Sequence, residues 1–406
     1  MSPTLPDAAW RHRAGLVDLC TALGASDGAA RFVGGAVRDT LLGLPVADID
    51  IATKFTPQDV VSRLTAAGIR AVPTGIAHGT ITAVLPDGPV EVTTLRRDVT
   101  TDGRHAVIAY TDDWRDDAAR RDFTMNALYA DPATGALFDY FGGLVDIVAG
   151  HIRFIGDPLL RIAEDHLRIL RFFRFVSRFA DVPEPVGLAA CTARANDLMA
   201  LSRERIADEL LKLLVTRRAP GTLGLMVAHG ILAPVLPEID HEGTARLAAL
   251  ADRERALGVL PDPVRRLAAL LPRDPATTDA IGARLKLSKA QRKQLSSAVA
   301  NVTNAAPLPL AYRVGKAAAL DWLLLSTLEQ PALTQAWAAI EAWDMPSLPI
   351  SGGMLVERGL SRGPDVARTL RTIEDQWIAE GFPGSERVDA ITETAVVQAL
   401  RAASSA

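Results

Sequence analysis

The chain has 406 residues, 49% hydrophobic and 23% charged, enough for two or three ordinary domains with substantial cores. A formal charge of −4 excludes indiscriminate polyanion binding, so any RNA contact must come from local basic patches. Cys20 and Cys191 lie too far apart in sequence to suggest a zinc ribbon or disulfide framework, residues 1–6 carry no secretion signal, and no apolar run is long enough to span a bilayer; a cytoplasmic, non-membrane protein is expected.

After a helical lead-in over residues 1–30, residues 31–155 mix β-branched alternating runs with Gly, Pro and Asp turns. The runs at 80–85, 90–95 and 151–155 predict strands of a sheet carrying a few helices. Near its start stands Phe32-Val33-Gly34-Gly35-Ala36-Val37-Arg38-Asp39. Two glycines after an apolar strand end let backbone amides approach a phosphate closely, and Arg38 adds a fixed positive charge. Asp48-Ile49-Asp50 follows. Side chains at i and i+2 of a strand share a face, so Asp48 and Asp50 can bridge two Mg²⁺ ions while Ile49 points into the core. Two metals so placed serve both oxygens of an in-line displacement, which is nucleotidyl transfer in outline. Glu91, on the alternating run 90–95, is a third carboxylate for the metal site or its surroundings.

A polar stretch from 96 to 117 is long enough to serve as a lid or shuttle, and it closes on Arg120-Arg121-Asp122-Phe123-Thr124-Met125-Asn126-Ala127. Paired arginines there suit phosphate, with Asp122 and Asn126 to orient them or the ribose. Beyond Asp157-Pro158 the spacing turns helical to the C-terminus. Residues 159–174 are expected to form one helix, with Ile162, Ile169, Phe173 and Val176 on an apolar face and Arg161, Glu164, Asp165, Arg168 and Arg171 opposite. Cytosine and adenine both present an amino donor beside a ring-nitrogen acceptor, whereas guanine and uracil present the reverse. Asp165 accepting and Arg168 donating would therefore match C and A and repel G and U. Arg171 and Arg174 could then reach the triphosphate or ribose. His166 falls beside the apolar face and reads as a packed residue. Further on, Arg203, Arg205, Lys212, Arg217 and Arg218, and then Arg284, Lys286, Lys289, Arg292 and Lys293, read either as solvated helix faces or as RNA contacts. Val366, Leu370, Ile373 and Trp377 repeat as a core-facing stripe.

These ordered motifs, Gly34-Gly35-x-x-Arg38-Asp39, Asp48-x-Asp50, Glu91-Val92-Thr93-Thr94, Arg120-Arg121-Asp122-Phe123-Thr124-x-Asn126-Ala127 and Glu164-Asp165-x-x-Arg168, resemble the class II CCA-adding tRNA nucleotidyltransferases and the related bacterial poly(A) polymerases. The resemblance implies an α+β fold: a nucleotidyltransferase palm-like head with a five-stranded mixed β-sheet at 31–155, then an all-α neck at 156–220 with the nucleotide-recognition helix, a body at 221–300 and a tail at 301–406. It implies template-independent, Mg²⁺-dependent addition of CCA from CTP and ATP to the tRNA acceptor end. Asp48 and Asp50 would bind the metal with Glu91 as third acid, and Gly35, Arg38, Arg121, Asp165, Arg168, Arg171 and Arg174 would bind the nucleotide. A poly(A) polymerase shares every one of these motifs and is the alternative. A catalytically inactive RNA-binding protein would be expected to show a broken Asp-x-Asp or Gly-Gly, and both are intact. None of the seven histidines precedes an Asp, so the additional His-Asp phosphohydrolase domain of some relatives is not expected.

Overall fold

The alternation read in the first half of the chain folds into one seven-stranded mixed sheet in the computed structural model, which describes residues 3–101, 106–299 and 306–404. Its strands are β1 (Ala30–Val33), β2 (Asp50–Thr53), β3 (Arg70–Gly75), β4 (Thr80–Leu85), β5 (Gly88–Thr94), β8 (Leu128–Ala130) and β9 (Leu137–Asp139), while β6 (Arg96–Thr101) and β7 (Ala106–Tyr110) form a separate ladder. The order is β3-β4-β5-β2-β1-β8-β9, and only β2 and β5 run parallel. Period-two alternation covers both faces. Phe32 and Ile51 enter one core with the helices Leu16–Ala22 and Pro57–Ala66, and their neighbours Val33 and Ala52 enter another with Trp114, Tyr129 and Ile155.

Several expectations are corrected. The sheet has seven strands rather than five, because the three-residue strands β8 and β9 extend it beyond β1 and are too short to show a period. Residues 151–155 are not a strand; they pair with the sheet side only through the single bridge Phe123↔Phe154, as Phe154 packs into an aromatic cluster with Phe123 and Phe172. The polar stretch at 96–117 is structured at both ends, as the β6–β7 ladder and the helix Trp114–Ala119, and the remainder of that expected lid, residues 102–105, lies outside the described residues.

Beyond residue 157 the described chain is helical. Asp157 caps the helix Pro158–Glu164 by accepting from the Leu159 amide, and proline sits at the first helical position where it loses no hydrogen bond. The chain divides into two compact units: Met1–Ala248 with Pro261–Leu271 and Ala283–Leu287, and Ala249–Leu260 with Pro272–Gly282 and Ser288–Ala406. In the second unit the expected stripe holds, with Ile373 and Trp377 buried and Val366 and Leu370 packed against the same core. No described helix is long and apolar enough to cross a membrane.

Candidate active site

The site is assembled at the end of β1, where the chain must turn sharply beside β2. Val33 lies opposite Asp50, and Gly34 follows at φ 70°, ψ −123°, a conformation open to glycine and strained for other residues. Helix Gly35–Leu41 then places the buried Arg38 one turn on. β2 begins only at Asp50, so Asp48 and Ile49 lie in the segment leading into it, but the burial follows the expected alternation: Ile49 is buried, Asp48 exposed and Asp50 half-buried. The parallel pairing sets Glu91 opposite Asp50, and the Glu91 amide donates to the Ile49 carbonyl at 3.1 Å. Glu91 and Asp48 thus stand near enough to Asp50 for their charges to act on it. Partial burial first, then Glu91 and Asp48, push the Asp50 carboxyl up to about 6 against the pull of Arg121.

A single cavity of about 560 Å³ is lined by Gly35, Arg38, Asp48, Asp50, Arg121, Asp165, Arg168, Arg171 and Arg174. Of the expected site residues only Glu91 stands outside that lining, one strand over from Asp50. Gly34, Asp122, Asn126 and Phe175 complete it. The cavity therefore brings two acids, Asp48 and Asp50, together with Asp165 and with five arginines, Arg38, Arg121, Arg168, Arg171 and Arg174.

The arginines are held by a hydrogen-bonded chain. Arg178 and Arg38 both donate to Asp39, at 3.1 and 2.8 Å; Arg38 also donates to Asn126 at 2.5 Å. Asn126 in turn donates to Asp122 at 2.9 Å, and Asp122 accepts from Arg171 Nε at 2.8 Å. Burial alone would raise the Asp122 carboxyl, but Arg171, Asn126 and the Phe123 amide hold it well below the usual carboxylate range. Arg121 is fixed separately: Asp117, 1% exposed, accepts from Arg121 at 3.1 Å, from Arg120 at 2.9 Å and from the Tyr129 hydroxyl at 2.7 Å. These partners bring the Asp117 carboxyl to about 2 despite its burial.

The expected single recognition helix is two. Helix Pro158–Glu164 ends, Asp165 is extended at φ −149°, ψ 106°, and a second helix runs Arg168–Phe179. Asp165 causes the break: its side chain accepts from the Leu167 amide at 3.1 Å and its carbonyl from the Arg168 amide at 3.0 Å, a local alternative to helical pairing that Asp readily takes. Asp165 lines the cavity, and its carboxylate accepts from Arg205, which lies outside that lining. Arg168 is bound to Glu164 at 2.6 Å and to the carbonyls of Arg161 and Arg120, at 2.8 and 3.0 Å. These use three of its five N–H groups, and the buried side chain lines the cavity. His166 is packed as expected, with Nδ1 3.0 Å from the Ile162 carbonyl.

The basic clusters look different in three dimensions. Arg205 faces Asp165 rather than standing free for RNA, while Arg284 pairs with Glu238, Lys286 with Glu204 and Arg292 with Asp279. Residues 284–293 are not one helix: Arg284 ends Pro275–Arg284 and Lys289 opens Lys289–Ala298. Asp117, Arg178, Arg205 and Glu209 were not picked out as site residues from sequence. Only Asp117, four residues before Arg121, carried a local signal.

The site's donors suit a hard divalent cation. All are carboxylate oxygens, and the Asp50 carboxyl, raised by burial first and then by Glu91 and Asp48, is one whose charge a cation would stabilise. Among the described residues no group of three or more His, Cys, Asp or Glu side chains is placed to hold a metal ion by itself. That agrees with Mg²⁺, which usually takes one or two carboxylates and completes its shell from water and substrate phosphates.

Comparison with known proteins agrees with this geometry. Residues 30–153 match the poly A polymerase head domain, and residues 183–242 match a probable RNA and SrmB-binding site of polymerase A. The chain is thus a nucleotidyltransferase of the polymerase-head type. It is 36% identical over 370 residues to the mitochondrial CCA tRNA nucleotidyltransferase 1 of Homo sapiens, covering 87% of this chain and 83% of the relative. With the CCA-adding enzyme of Limosilactobacillus fermentum it shares 32% identity over 365 residues, covering 87% and 89%. The solved CCA-adding enzyme of Bacillus stearothermophilus in complex with CTP superposes with a TM-score of 0.71 at 25% identity, over 94% of this chain and 98% of that one. The Thermotoga maritima enzyme complexed with tRNA shares the fold, with a TM-score of 0.67 at 20% identity, over 98% of this chain and 99% of that one. The chain belongs to the CCA-adding tRNA nucleotidyltransferase family.

Proposed function

We propose that this protein adds C, C and A, from CTP and ATP, to the 3′ end of tRNA without a nucleic-acid template. The observation that carries this reading is that one cavity is lined by the Asp48–Asp50 pair, by Arg38 and Arg121, and by Asp165 and Arg168. Asp48 and Asp50, with Glu91 beside them, would hold Mg²⁺. When bound there, Mg²⁺ lowers the pKa of an attacking 3′-hydroxyl and neutralises charge on the leaving pyrophosphate. Arg38 and Arg121, each locked by a carboxylate, orient the triphosphate, and Arg171 and Arg174 hold the phosphate and ribose side. Asp165 accepts from the amino group of cytosine or adenine while Arg168 donates to the adjacent ring nitrogen. Guanine and uracil would set donor against donor and acceptor against acceptor, which leaves buried polar groups unpaired. Residues 156–220, 221–300 and 301–406 act as neck, body and tail that hold the acceptor end, in the cytoplasm.

The test is incubation with tRNA lacking its terminal CCA and each labelled nucleotide, alone and in pairs. CTP alone should extend the RNA by two residues and CTP with ATP by three. Long homopolymer tails from ATP alone would instead identify a poly(A) polymerase, and no incorporation would refute the reading.

A further inference from the structure

Helix Arg203–Leu214 contributes nothing to the cavity lining, yet two of its side chains hold the nucleotide pocket from behind. Arg205 Nη2 donates to both carboxylate oxygens of Asp165, at 3.0 Å each. Glu209, 4% exposed, accepts from Arg174 Nε at 2.6 Å and lies 3.8 Å from Arg171 Nη1. Positions i and i+4 share one helix face. That face therefore presents a cation to the pocket's acid and an acid to the pocket's cations.

We infer that Arg205 is a positioning residue for base selection and Glu209 a positioning residue for nucleotide affinity, acting through Asp165 and through Arg171 and Arg174. The inference rests on the proposed reading of the base by Asp165 and Arg168. Counting lone pairs gives the reason. Asp165 Oδ1 accepts from Arg205 and from the Leu167 amide, which fills it, and Oδ2 accepts once from Arg205. One acceptor remains, on Oδ2, in a side chain 32% exposed at the cavity. A carboxylate pinned in this way offers a single fixed acceptor to an amino group and no donor to a carbonyl. Without Arg205, only the Leu167 amide restrains it and the acceptor loses its direction. Glu209 has no bond to Asp165; it sets where two guanidinium groups stand.

The two roles predict opposite patterns in steady-state kinetics on tRNA lacking CCA. Arg205→Gln should lower the ratio of kcat/KM for CTP over UTP at least about tenfold, and Arg205→Lys, which keeps the charge, should recover most of it. Glu209→Gln should raise KM for CTP and ATP about tenfold and leave the CTP over UTP ratio at the parent value. Circular dichroism melts accompany each variant, since a purely structural role would lower kcat/KM for all nucleotides in parallel with stability. If the parent transfers CMP but Arg205→Gln keeps the parent's ratio, the inference fails and the reading of function stands. A Glu209→Gln variant that changes the ratio with an unaltered KM likewise overturns the division of roles. A parent inert toward every nucleotide ends the functional reading itself.

Discussion

Asp50 carries a charge that its surroundings resist, so removing the charge should separate stability from catalysis. Partial burial, Glu91 and Asp48 raise its carboxyl from 3.8 to about 6 in the fold. A carboxyl raised on folding binds more protons in the folded than in the unfolded state between those values. Its contribution to stability is therefore fullest below pH 3.8 and is lost as pH rises through 6. At about 1.4 kcal/mol per pH unit, the ionised form costs the fold about 3 kcal/mol at pH 8. At pH 4, where the folded-state carboxyl is neutral, the same linkage leaves about 0.5 kcal/mol. Asp50→Asn keeps the size and removes the ionisation. In EDTA it should be about 2–3 kcal/mol more stable than the parent at pH 8 and nearly equal to it at pH 4, while CMP transfer falls to background. Amide exchange at Ile51 and Val92, both fully buried in β2 and β5, reads the stability of this sheet without a contribution from the second unit. A variant no more stable at pH 8, or equally stabilised at both pH values, would refute the charge argument. One that still transfers CMP would refute the metal role.

Two further outcomes follow from particular contacts. Arg168→Ala strips partners from Glu164 and from the carbonyls of Arg161 and Arg120, so it should lower stability by about 2–4 kcal/mol as well as kcat/KM for both CTP and ATP; thermal melting and kinetics together check this, and an intact melt with intact selectivity would remove Arg168 from both roles. At Gly143 an added Cβ would stand 2.3 Å from the Thr124 carbonyl oxygen, a backbone atom, so Gly143→Ala should destabilise by about 2–3 kcal/mol and loosen the segment that carries Asp122 and Asn126; an unchanged melting temperature would show that the close approach relaxes freely.

The pocket was legible wherever its residues sit in short motifs. Gly35, Arg38, Asp48, Asp50, Arg121 and the Asp165–Arg174 series converge because β1 and β2 are neighbours and because Asp122 ties the head to the Arg168–Phe179 helix through Arg171. Glu91 was placed by strand period alone, and the parallel β2–β5 pairing set it beside Asp50. What stayed illegible depends on distant partners. Glu209 meets Arg174 across 35 residues, and Arg205 meets Asp165 across 40, so helical spacing showed only charges on a face. The break at Asp165 was missed for the opposite reason. Apolar positions continue in register across it, and a single side chain competing for backbone hydrogen bonds leaves periodicity intact.

The chain of bonds from Arg178 through Asp39, Arg38, Asn126 and Asp122 to Arg171 restricts how such a pocket can change over generations of substitution. Each interior member has a partner on either side, so a single replacement leaves two groups without that partner. Neighbouring effects then fail to add, and paired replacements are less damaging than the sum of their parts. A lineage exploring new nucleotide preferences must pass through coordinated exchanges along this line, whereas Asp165, tied mainly to Arg205 and one amide, can vary with far fewer dependants. Substitution at Asp165 thereby disturbs fewer neighbours than substitution along the line from Asp39 to Asp122, or at Arg168 with its three partners.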